Sequence, residues 1–250
     1  MLTHPLFDQL KTLRCQGMIE ALQEQLASSE INQLSFDERL GLLLERECIL
    51  RENKRLINRL RQAKLKVSAC LEDIDYQVDR ELSKTVIMKL SACIWVARKQ
   101  NLLITGPTGT GKTYLSCAFA NQACRQGFSS RYVRLPRLFR TLEIAKGDGS
   151  YVKLIEALAK TQLLILDDWG IAPMTDAHRR DLLELMDDRY NQSSTIITSQ
   201  LPINLWHEAI GDPTLGDAIL DRLVHNAHRI DVKGPSMRKK NSNKLAEKED

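Results

Sequence analysis

The chain has 250 residues, of which 43% are hydrophobic and 27% charged, and its formal net charge is +4. This composition is typical of a globular protein with enough apolar material for a core, and it excludes disordered, collagen-like and disulfide-stapled miniature proteins. No charge-free apolar window of about 18 residues occurs, so no membrane-spanning helix is predicted. The N-terminal residues lack the basic segment followed by an apolar segment that is typical of a signal peptide. We therefore expect a cytoplasmic protein with no membrane association. The six cysteines include no Cys-x-x-Cys pair and are expected to be reduced thiols with packing roles.

The first hundred residues predict a helical region. No glycine lies between Gly41 and Gly106 and no proline between Pro5 and Pro107, so little in this stretch breaks a helix. Ser35 and Glu38 have the spacing of a capping box, which predicts a helix beginning near Phe36. Apolar residues at about the spacing of one amphipathic helix are Leu10, Leu13, Met18, Leu22 and Leu26. We expect a small all-α N-terminal domain over residues 1–75.

From residue 101, short apolar or β-branched segments alternate with helical patterns at intervals of about 30 residues. The segments are 102–104, 132–133, 163–166 and 195–198, with a fifth expected near 229–232. This alternation predicts a parallel five-stranded sheet flanked by helices, forming a domain over residues 76–240. Residues 241–250 are almost wholly polar and are expected to be a frayed tail.

A phosphate-binding loop is predicted from a match to Gly-x-x-x-x-Gly-Lys-[Ser/Thr]. It lies between an apolar segment and a predicted helix over 114–124, the context that this motif requires. Glycines let successive backbone N–H groups face phosphate oxygens, and the helix adds its positive N-terminal end. The side chain of Lys112 would neutralise the β- and γ-phosphates of ATP, and the Thr113 hydroxyl would bind Mg²⁺. The predicted nucleotide-binding residues here are Gly106, Pro107, Thr108, Gly109, Thr110, Gly111, Lys112, Thr113 and Tyr114.

Two acids, Asp167 and Asp168, follow the buried segment 163–166, at the edge of a parallel sheet where ligands bind. This pattern is typical of a Walker B element. Asp167 would hold Mg²⁺ through water, and Asp168 would orient or deprotonate the attacking water. Many hydrolysing relatives have glutamate at the second position, so the shorter Asp168 predicts weak turnover without a partner. The alternative is a solvated turn after a strand.

On these residues the chain resembles AAA+ P-loop ATPases, and more closely the IstB-type helper ATPases of insertion-sequence transposition, which are related to the helicase loader DnaC. The resemblance covers essentially the whole length. Besides the two motifs, it is carried by residues 163–170, 188–202, 206–207, 211–214, 217–225 and 234–239. It implies an AAA+ domain preceded by a helical domain that binds DNA or partners.

The resemblance implies further site residues. Ser199 and Gln200 fall at the position of a polar sensor near the γ-phosphate, with a strand-terminating turn as the alternative. Arg222 falls at the position of an arginine finger that reaches a neighbouring subunit's nucleotide, and therefore implies a homo-oligomer; a surface ion pair with Asp221 is the alternative. Arg238 matches a second sensor that contacts phosphate, with a basic surface near the tail as the alternative.

Residues 51–66 carry seven basic side chains and one acid, a local charge of +6. Such a stripe on a helix is the electrostatic footprint of phosphate-backbone binding, and a solvated helix face is the alternative. Aromatic residues make up only 5% of the chain, which disfavours stacking on single strands, so we expect duplex binding with little sequence preference. The predicted DNA-binding residues are Arg51, Lys54, Arg55, Arg59, Arg61 and Lys64.

The resemblance therefore implies an ATPase that converts ATP to ADP and phosphate, stimulated by DNA or a partner. It would assist DNA transposition by binding target duplex DNA as an oligomer and recruiting or stimulating a cognate transposase. Two alternatives remain open at this point. One is a DnaC-like replicative helicase loader, and the other is a DNA-coating protein in which hydrolysis is vestigial.

Overall fold

The computed structural model describes residues 5–28, 30–76 and 81–237. These residues form two compact units, one up to Asn58 and one from Arg59 onward. Residues 59–75, expected in the N-terminal domain, group with the second unit. Among the described residues, no helix is long and apolar enough to cross a membrane. Arg238 and the expected tail at 241–250 lie outside the described residues.

The first unit is helical, as predicted. It contains α1 (Pro5–Thr12), α2 (Gln16–Ala27), a short 3-10 helix (Glu30–Gln33) and the start of α3 (Phe36–Ala63). The capping box is confirmed: the Ser35 N–H donates to Glu38 Oε2 at 2.8 Å, and the Glu38 N–H donates to Ser35 Oγ at 3.3 Å. The box satisfies two N–H groups at the helix start, which explains why α3 begins where the sequence indicated.

The prediction of one amphipathic helix through the leucines of residues 10–26 is wrong, because two helices occupy this stretch. The helix ends after α1, where Arg14 takes a left-handed φ of +55°, and a separate helix, α2, begins at Gln16. As a result Leu13 and Leu26 are 67% and 66% exposed, while Ile19 is buried. The helices α2 and α3 approach closely at Gly17, where an added Cβ would lie 2.7 Å from the Cα of Glu47. The break therefore presents a different face of α2 to α3 from the one that the leucine spacing indicated.

The second unit contains a parallel five-stranded sheet, as predicted. The strands are β1 (Asn101–Thr105), β2 (Ser130–Arg134), β3 (Leu163–Trp169), β4 (Ser194–Ser199) and β5 (Ala227–Asp231). Their spatial order is β2-β3-β4-β1-β5, and every neighbouring pair is parallel. Each strand includes its predicted apolar segment or most of it. The order places β4 between β1 and β3, the two strands that lead into the phosphate loop and the acid pair.

Helices cover both faces of this sheet. Besides the end of α3 they are α4 (Lys84–Ser91), α5 (Ile94–Ala97), α6 (Lys112–Arg125), α7 (Leu135–Asp148), α8 (Tyr151–Ala159), α9 (Asp176–Arg189), a 3-10 helix (Ile203–Leu205), α10 (Trp206–Ile210) and α11 (Pro213–Val224). Alternate strand residues enter opposite cores. Leu102 and Ile104 pack with α4 to α6, whereas Leu103 packs with α7 to α11. Burial on both faces explains the continuous apolar runs in the strand sequences.

The segment after α3 lies along α6, the helix that follows the phosphate loop. The Asn121 amide donates to the carbonyl of Ala69 at 2.9 Å, and the Tyr114 hydroxyl donates to the carbonyl of Cys70 at 3.3 Å. A salt bridge of 2.8 Å joins Arg125 and Glu72. These contacts explain why residues after Asn58 group with the second unit, and they bring residues 66 and 67 to the phosphate loop.

Candidate nucleotide-binding site

The phosphate loop takes a conformation that requires its glycines. Gly106 and Gly109 have φ values of +139° and +83°. A Cβ on Gly106 would lie 2.0 Å from the carbonyl oxygen of Val232, and one on Gly109 would lie 2.3 Å from Ser236 Oγ. Both the backbone conformation and the close approach of the chain after β5 therefore exclude other residues. Gly111 ends the loop, and α6 begins immediately after it with its free N–H groups directed to the loop.

The side chain of Lys112 lies across the mouth of the loop. Its Nζ donates to the carbonyl oxygens of Gly106 and Pro107, both at 2.7 Å, and the residue is only 9% exposed. The loop borders a cleft of about 340 Å³, a size suited to a small-molecule ligand. The cleft is lined by Lys66, Val67, Thr108, Gly109, Gly111, Lys112, Thr113, Tyr114, Asp167, Asp168, Thr198, Ser199, Gln200 and Met237. The predicted loop and acid residues thus share one cleft.

Asp167 lies at the bottom of this cleft and is almost fully buried. The Thr113 hydroxyl lies 3.0 Å from its Oδ1 and 3.1 Å from its Oδ2. Hydroxyls from both neighbouring strands also donate to it, Thr198 to Oδ1 and Tyr132 to Oδ2. The ammonium of Lys66 lies 3.9 Å from Oδ2. Thr113 and Asp167 present hydroxyl and carboxylate oxygens, the hard ligands that Mg²⁺ prefers, so the donor set fits the predicted metal.

Asp168 turns out of the strand. It has a φ of +67°, and the β3–β4 register is interrupted between Leu166 and Trp169. Its backbone N–H donates to Thr198 Oγ1 at 3.3 Å, and its Oδ2 accepts a hydrogen bond of 2.6 Å from Arg134 Nε at the end of β2. This bond raises the pKa of Arg134, so the guanidinium stays charged. The left-handed backbone directs the second acid into the cleft, where it is held by an ion pair.

Four polar contacts of the acid pair were not predicted: Lys66, Tyr132, Arg134 and Thr198. Tyr132 and Arg134 are two residues apart in β2 and therefore share one face of the strand. This spacing is a signal in the sequence, but it identifies a site only if β2 is known to neighbour β3. Burial, and then the hydrogen bond to Asp167, raise the pKa of the Tyr132 hydroxyl, which keeps it a proton donor at neutral pH.

The two predicted sensor residues differ in their contacts. Ser199 is buried; its hydroxyl donates to the carbonyl of Trp169 and accepts from the N–H of Leu201, both at 3.0 Å. The alternative interpretation of Ser199 as part of a strand-terminating turn describes these bonds well. Gln200 is exposed and lines the cleft. The sensor roles of both residues stay predictions.

The predicted arginine finger has a partner in its own chain. Arg222 Nε pairs with Asp187 Oδ1 on α9, and its NH1 donates to the carbonyl of Ala218 at 2.6 Å. Asp221, the partner considered from the sequence, lies instead 3.3 Å from Nε2 of His225. The guanidinium is partly exposed on α11, and its action on a neighbouring subunit stays a prediction.

The six predicted DNA-binding residues are not equivalent. In the first unit, Arg51 Nε pairs at 2.6 Å with Glu47, whose carboxylate also accepts the Gly17 N–H at 2.6 Å. In the second unit, Arg59 Nε donates to the carbonyl of Cys124 at 2.9 Å. The ion pairs found within the described residues do not include Lys54, Arg55, Arg61 and Lys64, which are all exposed. These four side chains are therefore the most available of the six to contact the phosphates of a nucleic acid.

The parallel order β2-β3-β4-β1-β5, with the phosphate loop after β1 and the acid pair at the end of β3, defines an AAA+ P-loop nucleotide-binding fold. Comparison with known proteins then identifies the family. Residues 8–245 match the family model described as IstB-like ATP binding protein. The chain therefore belongs to the IstB-like ATP-binding family.

Individual relatives agree with this assignment. The insertion-sequence ATP-binding protein y4pL of Sinorhizobium fredii is 52% identical over 239 residues, covering 96% of this chain and 98% of that protein. The crystal structure of DnaI superposes with a TM-score of 0.58 at 24% identity, covering 70% of this chain and 93% of that one. The DnaC helicase loader gives 0.54 at 17% identity, covering 66% and 97%. At these identities the two structures support the fold alone.

Proposed function

We propose that this protein is a Mg²⁺-dependent ATPase that converts ATP to ADP and phosphate. The observation that carries the proposal is the meeting of the phosphate loop with Asp167 and Asp168 in one cleft. The loop N–H groups and the start of α6 would hold the phosphates, and Lys112 would neutralise their charge. Thr113 and Asp167 would hold the metal, which would supply positive charge to offset that of the phosphates.

In this proposal Asp168 orients the attacking water or takes its proton. Its carboxylate lines the cleft but is paired with Arg134, so hydrolysis requires that this ion pair opens or shifts. The short Asp168 side chain and its ion pair both favour slow basal turnover. Stimulation by DNA or a partner would then act by releasing the acid.

We further propose that the ATPase assists DNA transposition in the cytoplasm. As a homo-oligomer it would bind target duplex DNA with little sequence preference and recruit or stimulate a cognate transposase. Family membership supports this role, since y4pL is described as an insertion-sequence ATP-binding protein. Exposed basic residues of α3, among them Lys54 and Arg55, supply charge suited to phosphate backbones. Arg222 would join subunits by contacting a neighbour's nucleotide, and Arg238 would contact phosphate within the chain.

The test is binding to a random-sequence duplex and to the matching single strand, with and without ATP, at about 50 and 200 mM salt. ATP-dependent duplex binding in large assemblies is expected, and it should be lost in Lys112→Ala. Preference for the single strand would instead support the helicase loader. Duplex binding without any hydrolysis would support the DNA-coating protein.

Charge variants separate specific contacts from general attraction. Lys54→Ala and Arg55→Ala should each lower the slope of log affinity against log salt by about 1, because each removes one phosphate contact. Lys160→Ala is the matched control, since this exposed lysine pairs with Glu156 on α8. An equal change in all three variants would contradict a DNA site on α3.

A further inference from the structure

The carboxylate of Asp167 receives more hydrogen bonds than its role as a metal holder requires. A carboxylate has about four lone-pair positions. In this structure they face the hydroxyls of Thr113, Tyr132 and Thr198, and the ammonium of Lys66. The residue is only 1% exposed, so these side chains replace water as its solvation. Its orientation is therefore set by the donors around it.

Tyr132 differs from the other donors in how it is held. It lies within β2, where its backbone pairs with Ile165 of β3, and its ring packs against the buried cluster of Ala69, Cys117 and Ala118. The ring is thus fixed by packing, and a tyrosine has few rotatable bonds. The Tyr132 hydroxyl is therefore held in a fixed position beside Asp167 Oδ2. Lys66 reaches the same oxygen with a long, flexible and partly exposed side chain.

Thr198 also donates a hydrogen bond to the carboxylate of Asp167, but unlike Tyr132 it contacts Asp168 as well. Its hydroxyl donates to Asp167 and also accepts from the backbone N–H of Asp168. A change at Thr198 would therefore disturb both acids together. Among the described residues, the hydrogen bond found for the Tyr132 hydroxyl is the one to Asp167. Removing that oxygen perturbs the metal-holding acid selectively.

We propose that Tyr132 is a positioning residue for the metal at this site: its hydroxyl holds Asp167 in the orientation in which the carboxylate meets Thr113. The inference rests on the proposed Mg²⁺-dependent ATPase and adds a determinant of its metal affinity. Tyr132 contacts no nucleotide-binding loop residue through this hydroxyl and acts through Asp167. Its loss should weaken the response to Mg²⁺ and leave metal-free nucleotide binding unchanged.

The experiment measures the affinity for a fluorescent ADP analogue as a function of Mg²⁺ concentration, and again in EDTA. In Tyr132→Phe, which keeps the ring and its packing, the half-saturating Mg²⁺ concentration should rise by about 10-fold, the effect of losing one hydrogen bond to a charged group. The affinity in EDTA should stay within about 2-fold of the original chain, because the phosphate loop is untouched.

The matched control is Tyr151→Phe. The Tyr151 hydroxyl also bonds carboxylates, at 3.0 Å from Asp181 and 2.7 Å from Glu184, but it lies among α7, α8 and α9 and does not line the cleft. Its Mg²⁺ dependence should equal that of the original chain. Equal shifts in the two variants would mean that the effect is a general one of losing a buried hydroxyl, and would overturn the inference.

A second variant, Tyr132→Met, also removes the hydroxyl, so the role of Tyr132 can still be tested if Tyr132→Phe does not fold. The Mg²⁺ titration and the EDTA measurement are made on one preparation, so an unfolded fraction cancels from their comparison. An unchanged Mg²⁺ dependence in either folded variant would overturn the role of Tyr132. Absence of any Mg²⁺ effect in the original chain would instead overturn the proposed ATPase, so the two failures are distinguishable.

Discussion

The ion pair between Arg134 and Asp168 predicts that Arg134 slows the proposed hydrolysis of ATP, because it occupies the acid that would act on the attacking water. Arg134 Nε lies 2.6 Å from Asp168 Oδ2, and the two side chains are 48% and 20% exposed. Because solvent screens such a pair, its contribution is about 1 kcal/mol, well below that of a buried one. A restraint of that size leaves the acid unpaired about one sixth of the time, since 1 kcal/mol corresponds to a factor of about 5.

Arg134→Ala should therefore raise the basal rate of ATP hydrolysis by up to about 6-fold, because Asp168 would then be free all of the time to meet the attacking water. The assay is steady-state phosphate release at saturating ATP without DNA. Arg137→Ala, an exposed arginine on the first turn of α7, is the control and should leave the rate unchanged. A lower rate in Arg134→Ala would refute this reasoning, since Arg134 would then assist the reaction itself.

Three further outcomes follow from the structure. Lys112→Ala should abolish ATP binding in a calorimetric titration, because the loop loses its buried ammonium. Gly106→Ala should cost about 3 kcal/mol in a denaturant titration, since the new Cβ meets the Val232 carbonyl, whereas Gly127→Ala, also at positive φ but with open space, should cost about 1 kcal/mol. The pKa of Glu47 is lowered: burial raises it, but hydrogen bonds from Arg51 and the α2 backbone outweigh that effect. Its stabilising contribution is present above the ordinary pKa of 4.5 and is lost as the pH falls through the lowered value, so Glu47→Gln should flatten acid unfolding there.

The two units also differ in what holds the basic residues of α3. Arg51 is tied to the acid that bonds the start of α2, and Arg59 is tied to the end of α6. Both guanidiniums have structural partners, so their removal would affect folding as well as the proposed DNA binding. Lys54 and Arg55 are better probes of a DNA surface, because they are exposed and their loss perturbs solvation more than packing. The functional domain boundaries at residues 75 and 240 stay predictions.

Much of the fold could be predicted because its signals are local. The loop from Gly106 to Thr113 requires particular backbone angles, and the strands are short apolar runs bounded by polar residues. The start of α3 follows from two side chains three residues apart. Each of these signals depends on residues close together in the chain, so each is readable without knowledge of the tertiary structure.

The break between α1 and α2 was missed for a related reason. Leucine spacing describes which residues share a face only while the helix continues, and nothing strongly helix-breaking marks Arg14. The left-handed turn there is closed by backbone hydrogen bonds of 2.9 Å from the Arg14 and Cys15 N–H groups to the last turn of α1, and α2 then packs on α3 at Gly17, a contact between residues 30 positions apart. Local periodicity could not report that contact.

The sequence by itself determined the nucleotide-binding class, the strands and the acid pair, because the motif fixes both the chemistry and the backbone that presents it. Only the tertiary structure decided which side chains control the acids. Strand order brings β2 beside β3 and so delivers Tyr132 to Asp167 and Arg134 to Asp168, while the segment after α3 brings Lys66 to the same cleft. These partners are set by distances in space between parts of the chain that are far apart in sequence, and no local pattern encodes them.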